Sequence, residues 1–317
     1  MKLKNNYNMF SEIKDYGAVF ETLVTKTADY LIQNNIKAQI LGISGGIDSA
    51  VVAAICYEVS ILTGIPLIGR SLPTHFNKES ETITADLVGK AFCTNYQEVS
   101  IEQTYKTLSN DLYGYECALD FNEPQPTVLT NGNIQARLRM IYLYNLAGMY
   151  KGLVMDTDNL TENNLGYFTI HGDVGDFNPI GGLWKTEVFE LAGWIHNYYY
   201  KQYVDSESEA IYLKTEALKY SISLKPTAGL GITNNDLEEL GAESYEQVDA
   251  ILQEILAWKQ IEDQNPINPE ERYKRFVEDQ QMLNIPIEVI QNVAKRHFYS
   301  SFKRKRLPIK INRETII

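Results

Sequence analysis

A glycine-rich turn between an apolar segment and a helical pattern is the strongest chemical signal in the sequence. It consists of Gly42, Ile43, Ser44, Gly45, Gly46, Ile47, Asp48 and Ser49. Glycines let the backbone approach a ligand closely and point successive N–H groups at it, and the start of the following helix adds partial positive charge. The turn is therefore suited to hold phosphate groups.

Asp48 distinguishes this turn from the usual loop of nucleoside triphosphatases, which ends in Gly-Lys-Ser or Gly-Lys-Thr. A carboxylate beside phosphates requires a hard cation such as Mg²⁺ between them, which makes Asp48 a candidate metal ligand. In the alternative interpretation this is an ordinary glycine turn, and Asp48 and Ser49 only cap the helix. The turn alone leaves both interpretations open.

The elements around the turn alternate between strands and helices. The predicted strands are Ala38–Ile43, Pro66–Leu72 and Gln97–Ile101, and the predicted helices run through Phe20–Ile32, Ser49–Leu62 and Glu79–Phe92, with another reaching Leu112. This alternation is typical of βαβ units with a parallel sheet. We therefore expect an α/β fold with a doubly wound, mostly parallel sheet.

The second half of the chain begins with a long helix, Asn133–Tyr150, and a short buried strand, Gly152–Met155. The polar, glycine-rich segment Asp156–Gly182 that follows is too long for a simple connection, and long loops after strands often carry function. From Trp184 onward the apolar spacing is helical, which predicts a helical C-terminal part. Within it, the acidic and Tyr-rich stretch Tyr198–Ser223 is expected to form a solvated helix.

Charge and cysteine content argue against several classes of protein. The formal net charge of −12 disfavours a surface that binds nucleic acid throughout, although eight basic and no acidic residues lie between Lys295 and Arg313. Three cysteines without a CxxC pair indicate neither a disulfide framework nor a zinc site, so we expect a reducing, cytoplasmic location. No apolar run approaches the roughly 18 residues that cross a bilayer, so no membrane partner is expected.

Four segments carry a resemblance to a known family. SGGIDS at Ser44–Ser49 matches the SGGxDS signature of the ATP pyrophosphatase superfamily. Three more resemble NAD synthetases of the ammonia-dependent type: NIQARLRMIYLYNLA (Asn133–Ala147), DTDNLTENNLGYFTIHGDVGDFNPI (Asp156–Ile180) and KPTAGL (Lys225–Leu230). The resemblance extends from about Leu31 to Pro308 and implies the adenine nucleotide alpha-hydrolase-like fold. One departure is Asp156, which stands where that family usually has glycine.

The resemblance also implies roles for individual residues. Gly42–Ser49 would hold the pyrophosphate of ATP, and Asp48 and Glu162 would bind Mg²⁺ against the phosphates. Further contacts to ATP are implied for Thr157, Lys185 and Thr227. The substrate, deamido-NAD, would be bound by Asn133, Arg137, Tyr167, Phe168, Thr169, Asp176 and Lys303.

The implied reaction is that of an ammonia-dependent NAD synthetase. The nicotinate carboxylate of deamido-NAD attacks the α-phosphorus of ATP and releases pyrophosphate, and ammonia then displaces AMP to form the carboxamide. The resemblance also implies a homodimer. Residues 1–37 leave no room for the N-terminal glutaminase domain of larger NAD synthetases, so one domain over residues 1–317 is expected. A separate glutaminase partner is left open.

A different function would use the same phosphate loop. An enzyme that adenylates a tRNA base would bind ATP in the same way, and the basic tail would then contact the phosphate backbone of RNA. The chain lacks paired cysteines for sulfur delivery, and its acidic charge argues against RNA binding. We therefore expect no nucleic-acid partner and take ATP-dependent amidation as the main hypothesis.

Overall fold

A four-stranded parallel sheet forms the centre of the fold. The computed structural model describes residues 13–116, 127–224, 236–262, 268–279, 285–306 and 309–310. The strands are β1 (Gln39–Gly42), β2 (Leu67–Ser71), β3 (Asn95–Glu98) and β4 (Leu153–Val154), in the order β3-β2-β1-β4. The three pairings are parallel, which confirms the predicted sheet.

Helices cover both faces of this sheet. One face carries α1 (Tyr16–Gln33), α2 (Ile47–Thr63), α3 (Glu79–Phe92), α7 (Lys185–Ser206) and α8 (Glu209–Ser223), and the other carries α4 (Glu102–Glu116) and α5 (Val128–Tyr150). Alternate residues of β1 point to opposite faces, so Leu41 packs in the first core and Ile40 in the second. The predicted doubly wound α/β fold is therefore confirmed.

A helical C-terminal part forms a third core beside the sheet. Its helices are α9 (Asp236–Leu240), α10 (Tyr245–Glu262), α11 (Pro269–Asp279) and α12 (Ile287–Tyr299), which pack with the short α6 (Leu160–Leu165). A 3-10 turn (Lys303–Arg306) follows, and β6 (Ile309–Lys310) pairs in parallel with β5 (Phe177–Asn178). Within the described ranges, no helix is long and apolar enough to cross a membrane.

The third strand begins earlier than the sequence predicts. We expected Gln97–Ile101, whereas β3 spans Asn95–Glu98 and aligns with Ile68–Ser71 of β2. Because β3 lies at the edge of the sheet and its side chains are mostly exposed, no apolar pattern marks it. Ile101 is instead buried just before α4, and its apolar side chain accounts for the misplaced prediction.

The stretch Tyr198–Ser223 is not a solvated helix, as we had expected. It comprises the end of α7 and all of α8, and α8 packs on α3 and α7 with Ala217 and Leu218 fully buried. The buried Lys214 takes part in this packing, since its Nζ lies 3.9 Å from the centroid of the Tyr57 ring. The expectation failed because a lysine over an aromatic ring can be buried, whereas a hydropathy pattern counts it as solvated.

Candidate active site

A cavity of about 300 Å³ opens at the carboxyl ends of β1 and β2. In open parallel sheets, ligands bind at this edge, where neighbouring connections diverge. The wall is formed by the phosphate loop, the start of α3, one side of α5 and the polar segment after β4. Of the residues predicted to bind ATP or metal, it includes Gly42, Ile43, Ser44, Gly46, Ile47, Asp48, Ser49, Thr157, Glu162 and Lys185.

The backbone of the phosphate loop depends on Gly45, whose φ of +86° lies in the left-handed region. A Cβ at this position would lie 2.3 Å from the carbonyl oxygen of Glu81 in α3. Glycine therefore lets the loop turn sharply and lets α3 pack closely against it. Gly45 shapes the loop without lining the cavity itself.

The first residues of α2 are not capped by a side chain. Gly46 is the N-cap, and Ser44 Oγ accepts a hydrogen bond from its N–H at 3.2 Å. Asp48 directs its carboxylate at Lys185 and Asn159 instead of at its own helix. The interpretation in which Asp48 merely caps the helix is therefore wrong. The helix start has the form of an anion site, with glycine at the N-cap and no side-chain acceptor.

Lys185 joins two carboxylates from separate parts of the chain. Its Nζ lies 2.5 Å from Asp48 Oδ2, at the start of α2, and 2.9 Å from Glu162 Oε1, on α6. The side chain of Lys185 is only 2% exposed. Burial by itself lowers the pKa of a lysine, but the two carboxylates outweigh it and hold the pKa of Lys185 well above its usual range. Its ammonium group is therefore charged.

The pKa of Glu162 is strongly perturbed. Burial and repulsion from Asp48 raise its pKa to about 7, while Lys185 acts in the opposite direction. Two carboxylates that converge on one point disfavour each other's charge and favour a cation between them. In this structure, the ammonium of Lys185 is that cation.

Asn159 links the two carboxylates, and the sequence did not predict it. Its Nδ2 donates to Asp48 Oδ1 at 2.9 Å, and its Oδ1 accepts a hydrogen bond from the Glu162 N–H at 3.0 Å. As the N-cap of α6, Asn159 fixes the helix start that carries Glu162. An Asn followed three residues later by Glu is a capping signal. The contact with Asp48, 111 residues away, has no such local signal.

Asp156, the departure from the family pattern, does not face the cavity. Its carboxylate is buried and accepts hydrogen bonds from the Asp158 N–H at 2.7 Å, the Gly175 N–H at 2.9 Å and Asn178 Nδ2 at 3.2 Å. Asp156 therefore holds the polar segment after β4 in its folded shape. The departure therefore adds hydrogen bonds within this loop, and its charge also raises the pKa of Asp158 and Asp173 in the cavity wall.

Within the described part of the chain, five further ionisable side chains line the cavity and were not predicted, namely Arg70, Glu81, Arg139, Asp158 and Asp173. Arg139 donates to the Leu72 carbonyl and to Asn77 Oδ1, each at 3.1 Å, and so ties the β2–α3 connection to α5. Burial raises the pKa of Asp173 to about 7 and that of Asp158 well above its usual range. Arg139 had a signal as the second arginine of ARLRM, whereas spacing does not single out the two acids.

The predicted substrate residues Asn133, Arg137 and Asp176 lie beside this cavity rather than in its wall. Asn133 Oδ1 accepts a hydrogen bond from the Thr169 hydroxyl at 2.8 Å, and Asp176 Oδ1 accepts one from the Tyr144 hydroxyl at 2.8 Å. Arg137 is exposed. Positions 133, 137 and 144 recur on one side of a helix, so these residues share one surface of α5.

The described part of the basic tail contacts backbone carbonyl groups. Lys303 Nζ donates to the carbonyl oxygens of Gly166 at 2.8 Å and Phe168 at 2.7 Å, and Arg304 donates to a carbonyl of α6 at 2.8 Å. Cations near the end of a helix stabilise its last carbonyl groups. Phe168 is buried in this arrangement, whereas Tyr167 lines the cavity.

One predicted ATP contact, Thr227, lies outside the described residues, as does the whole KPTAGL segment. Its role stays a prediction. Thr157, the other threonine assigned to ATP, is half-buried in the cavity wall.

The parallel sheet and the glycine loop at its edge define a nucleotide-binding α/β protein of the pyrophosphate-loop class. Residues 19–307 match NAD synthase, and the chain belongs to this family. It is 31% identical to the NH(3)-dependent NAD(+) synthetase of Pyrococcus furiosus over 291 residues, 92% of this chain and 94% of the relative. The protein of the same name from Methanococcoides burtonii is 34% identical over 226 residues, 70% of this chain and 73% of the relative.

Solved structures agree with this fold. The NMN synthetase of Francisella tularensis superposes with a TM-score of 0.65 at 25% identity, covering 94% of this chain and 99% of that one. The NH3-dependent NAD synthetase of Campylobacter jejuni gives a TM-score of 0.59 at 20% identity, covering 95% and 100%. At that identity, the second similarity concerns the fold alone.

Proposed function

We propose that this protein catalyses the ATP-dependent amidation of deamido-NAD with ammonia, which yields NAD, AMP and pyrophosphate through an adenylated intermediate. The observation that carries the proposal is the meeting of Asp48, Glu162 and Lys185 beside the phosphate loop. It occurs in a chain of the NAD synthase family, and relatives at 31% and 34% identity are named NH(3)-dependent NAD(+) synthetases. The enzyme is thus an amide-forming ligase.

ATP binds with its pyrophosphate at Gly42–Ser49. The loop N–H groups and the start of α2 stabilise the negative charge of the phosphates. The buried and charged Lys185 stabilises the charge that develops on the leaving pyrophosphate, and its fixed position means that little reorganisation is needed. Thr157 lies in the same cavity wall, and Thr227 is assigned to ATP by resemblance to the family.

Asp48 and Glu162 would hold Mg²⁺ against the phosphates. Their oxygens are hard ligands, and their convergence on the Lys185 ammonium supports a site that favours positive charge. Among the described residues, no three His, Cys, Asp or Glu side chains form a complete metal site. Two carboxylates suffice for Mg²⁺, which takes its remaining ligands from phosphates and water. Bound there, it would neutralise charge on the phosphates.

Deamido-NAD binds along the surface of α5 that carries Asn133 and Arg137, together with Asp176, Lys303 and the segment Tyr167–Thr169. An exposed arginine suits the pyrophosphate or carboxylate of the substrate, because its guanidinium holds such groups through two hydrogen bonds. Tyr167 lies in the cavity wall and Thr169 contacts Asn133, so this segment adjoins both regions. That continuity supports a substrate that extends from α5 towards ATP.

The chemistry requires positioning rather than a side-chain nucleophile. The substrate carboxylate is itself the nucleophile in the first step, and ammonia is the nucleophile in the second. The residues of the cavity hold the carboxylate in line with the α-phosphorus and balance the charge on the phosphates. Lys185 is the residue that we assign to this second role.

A homodimer formed through α5 is part of the proposal. Ile141 and Tyr144 are 65% and 41% exposed and lie on the same side of α5 as Arg137, and apolar side chains clustered on a surface mark interaction sites. Arg137 is exposed on the same helix, so a second copy at this surface would enclose the bound dinucleotide. The cytoplasmic location stays a prediction. The source of ammonia, either free in solution or supplied by a separate glutaminase, is left open.

Nucleic-acid binding is not part of the proposal. Lys303 and Arg304 donate to backbone carbonyl groups, and Arg296 Nε donates to the Leu165 carbonyl at 3.1 Å. These three cations of the basic tail therefore have partners within the protein. The use of the tail to hold α6 supports the amidation hypothesis over the tRNA alternative.

The experiment is a product assay with ATP, Mg²⁺, deamido-NAD and ammonium. We expect NAD, AMP and pyrophosphate in equal amounts. Nicotinate mononucleotide serves as the control substrate, because one solved structure of this fold is an NMN synthetase. Failure to form NAD with ammonium contradicts the proposal, and equal turnover with glutamine alone contradicts the dependence on ammonia.

A further inference from the structure

Asp249 is a buried carboxylate that no part of the proposed reaction uses directly. It lies in α10, is 2% exposed and does not line the cavity. Its Oδ1 accepts a hydrogen bond from the Thr161 hydroxyl at 2.5 Å, and its Oδ2 accepts two from Thr186, from the N–H at 3.1 Å and from the hydroxyl at 2.9 Å. One carboxylate thus joins three elements, α6, α7 and α10.

The two threonines are the immediate neighbours of the charged residues in the site. Thr161 precedes Glu162 in α6, and Thr186 follows Lys185 in α7. Thr161 Oγ1 also accepts a hydrogen bond from the Lys185 N–H at 2.8 Å. The backbones that carry Glu162 and Lys185 are therefore fixed to one another through Asp249, independently of their own ion pair.

A second side chain of α10 lies on the same side of the helix. Tyr245 is four residues before Asp249, and the centroid of its ring is 5.7 Å from Lys185 Nζ. Residues four apart on a helix are neighbours. Helix α10 therefore approaches Lys185 at two points, at its backbone through Asp249 and at its ammonium through Tyr245.

A carboxylate is an unusual choice if this position serves only to pack the core. Burial raises the pKa of Asp249 to about 6, so keeping the group ionised at neutral pH is unfavourable in the absence of strong partners. Hydrogen bonds to an ionised acceptor are stronger and more directional than those between neutral groups. Such bonds fix geometry in a way that an apolar residue of the same size does not.

We infer that Asp249 is a positioning residue, which sets the distance between Glu162 and Lys185 and thereby prepares the site for Mg²⁺ and the phosphates of ATP. The inference rests on the proposed function for its kinetic test. It concerns the ATP half of the reaction, because the hydrogen bonds described for Asp249 go to the neighbours of Glu162 and Lys185 and not to the α5 residues assigned to deamido-NAD. Loss of Asp249 should therefore affect the two substrates differently.

The test is Asp249→Asn, which keeps the shape of the side chain but replaces one acceptor oxygen by a donor. A displacement of about 1 Å in a catalytic group costs about a hundredfold in rate, so we expect kcat to fall by about that factor. The KM for deamido-NAD should stay unchanged. The rise in melting temperature that saturating Mg²⁺ and ATP cause in the wild-type enzyme should be smaller in the variant, a readout that does not depend on activity.

The matched control is Glu254→Gln, a similar neutralisation on the same helix at a half-buried residue. It should retain wild-type kcat and the full response to Mg²⁺ and ATP. If Asp249→Asn behaves like this control, the inference is wrong. It is also wrong if Asp249→Asn raises the KM for deamido-NAD as strongly as it weakens the response to ATP, since that pattern indicates a general structural defect.

Two further variants keep the inference testable if Asp249→Asn does not fold. Thr186→Val removes only one hydroxyl donor and should give a smaller loss of kcat in the same direction. In the double variant with Thr161→Val, kcat should fall by less than the product of the two single-variant factors. The reason is that both threonine hydroxyls donate to the one carboxylate of Asp249. Independent, multiplicative effects contradict the inference. An inactive wild-type enzyme would instead contradict the proposed function.

Discussion

At Lys185, the charge of the side chain and the dipole of its helix oppose each other. The residue is the first of α7, where the helix dipole disfavours a cation, and it is buried. Asp48 and Glu162 compensate for both effects at 2.5 and 2.9 Å. A buried ion pair is often no more stabilising than an apolar pair of the same volume. Stability therefore does not explain why these charges are present, whereas the proposed phosphate chemistry does.

Lys185→Met keeps the length of the side chain and removes its charge. We expect kcat to fall by about 100- to 1,000-fold, the effect of removing one preorganised electrostatic contact. The free energy of unfolding should also fall by up to about 3 kcal/mol, because Asp48 and Glu162 then repel each other. Steady-state kinetics and urea unfolding measure the two effects.

The control for this substitution is Lys219→Met, at an exposed lysine that pairs with the half-buried Glu216. Such pairs contribute less than about 1 kcal/mol, so stability and activity should change little. Activity of Lys185→Met close to that of Lys219→Met would show that Lys185 has no part in the reaction.

Asp173 should make the stability of the ligand-free protein depend on pH. Burial raises its pKa from 3.8 to about 7, so the folded protein binds this proton more tightly than the unfolded chain. Its contribution to the free energy of unfolding therefore decreases as the pH rises from about 4 to about 7. Asp173→Asn should flatten this dependence while keeping an acceptor for the Thr169 N–H.

Urea unfolding at several pH values across that window measures the slope. Asp86→Asn is the control, because Asp86 is an exposed partner of Lys90 with a side chain 40% exposed. A slope in Asp173→Asn that equals those of the control and the wild type would contradict the assignment.

At the scale of the elements, the apolar pattern predicted the helices and strands that bury apolar side chains. The predicted helix Glu79–Phe92 has the bounds of α3, and the predicted strand Ala38–Ile43 contains β1. Periodicity failed where burial uses other means, as at the edge strand β3 and in α8 with its buried Lys214. It also carries no information about contacts between distant segments.

The candidate site shows the same limit. The phosphate loop was visible as a local motif, and the resemblance supplied Glu162 and Lys185. Asn159 and Asp249 act through contacts with residues far away in the chain, at separations of 111 for Asn159 with Asp48 and 88 for Asp249 with Thr161. Only the folded structure places these two residues in contact with residues in or next to the site.

Leu218→Ala tests whether α8 is part of the core. Leu218 is fully buried, so its truncation should lower the free energy of unfolding by about 2–5 kcal/mol. Tyr220→Ala, on the same helix at a residue 47% exposed, should change it by less than about 0.5 kcal/mol. If both substitutions have equally small effects in urea unfolding, α8 is a solvated helix and not part of the core.

At the scale of the whole molecule, the candidate site lies where the carboxyl ends of β1 and β2 meet the C-terminal helical part. Asp48 follows β1, whereas Glu162 lies on α6, which packs in the third core with α10 and α12. Trp184, the N-cap of α7, is buried in that same core next to Lys185. The geometry of the site therefore depends on how the helical part packs against the sheet.

Ile141→Glu tests the proposed dimer. The residue is 65% exposed on α5, and a charge there should be unfavourable in an apolar interface. We expect the mass in light scattering to change from that of a dimer to that of a monomer, with loss of activity. Ile61→Glu, at a residue 67% exposed on α2, should leave a dimer. A monomeric wild-type protein, or a dimeric Ile141→Glu variant, contradicts this surface as the interface.

The most direct test of the central claim follows one oxygen atom. Deamido-NAD labelled with a heavy oxygen isotope in its nicotinate carboxylate is incubated with the enzyme, ATP, Mg²⁺ and ammonium, and the products are analysed by mass spectrometry. If the carboxylate attacks the α-phosphorus and ammonia then displaces AMP, one labelled oxygen appears in AMP and none in pyrophosphate. Label in phosphate or pyrophosphate, or AMP without label while NAD is formed, would contradict the adenylated intermediate.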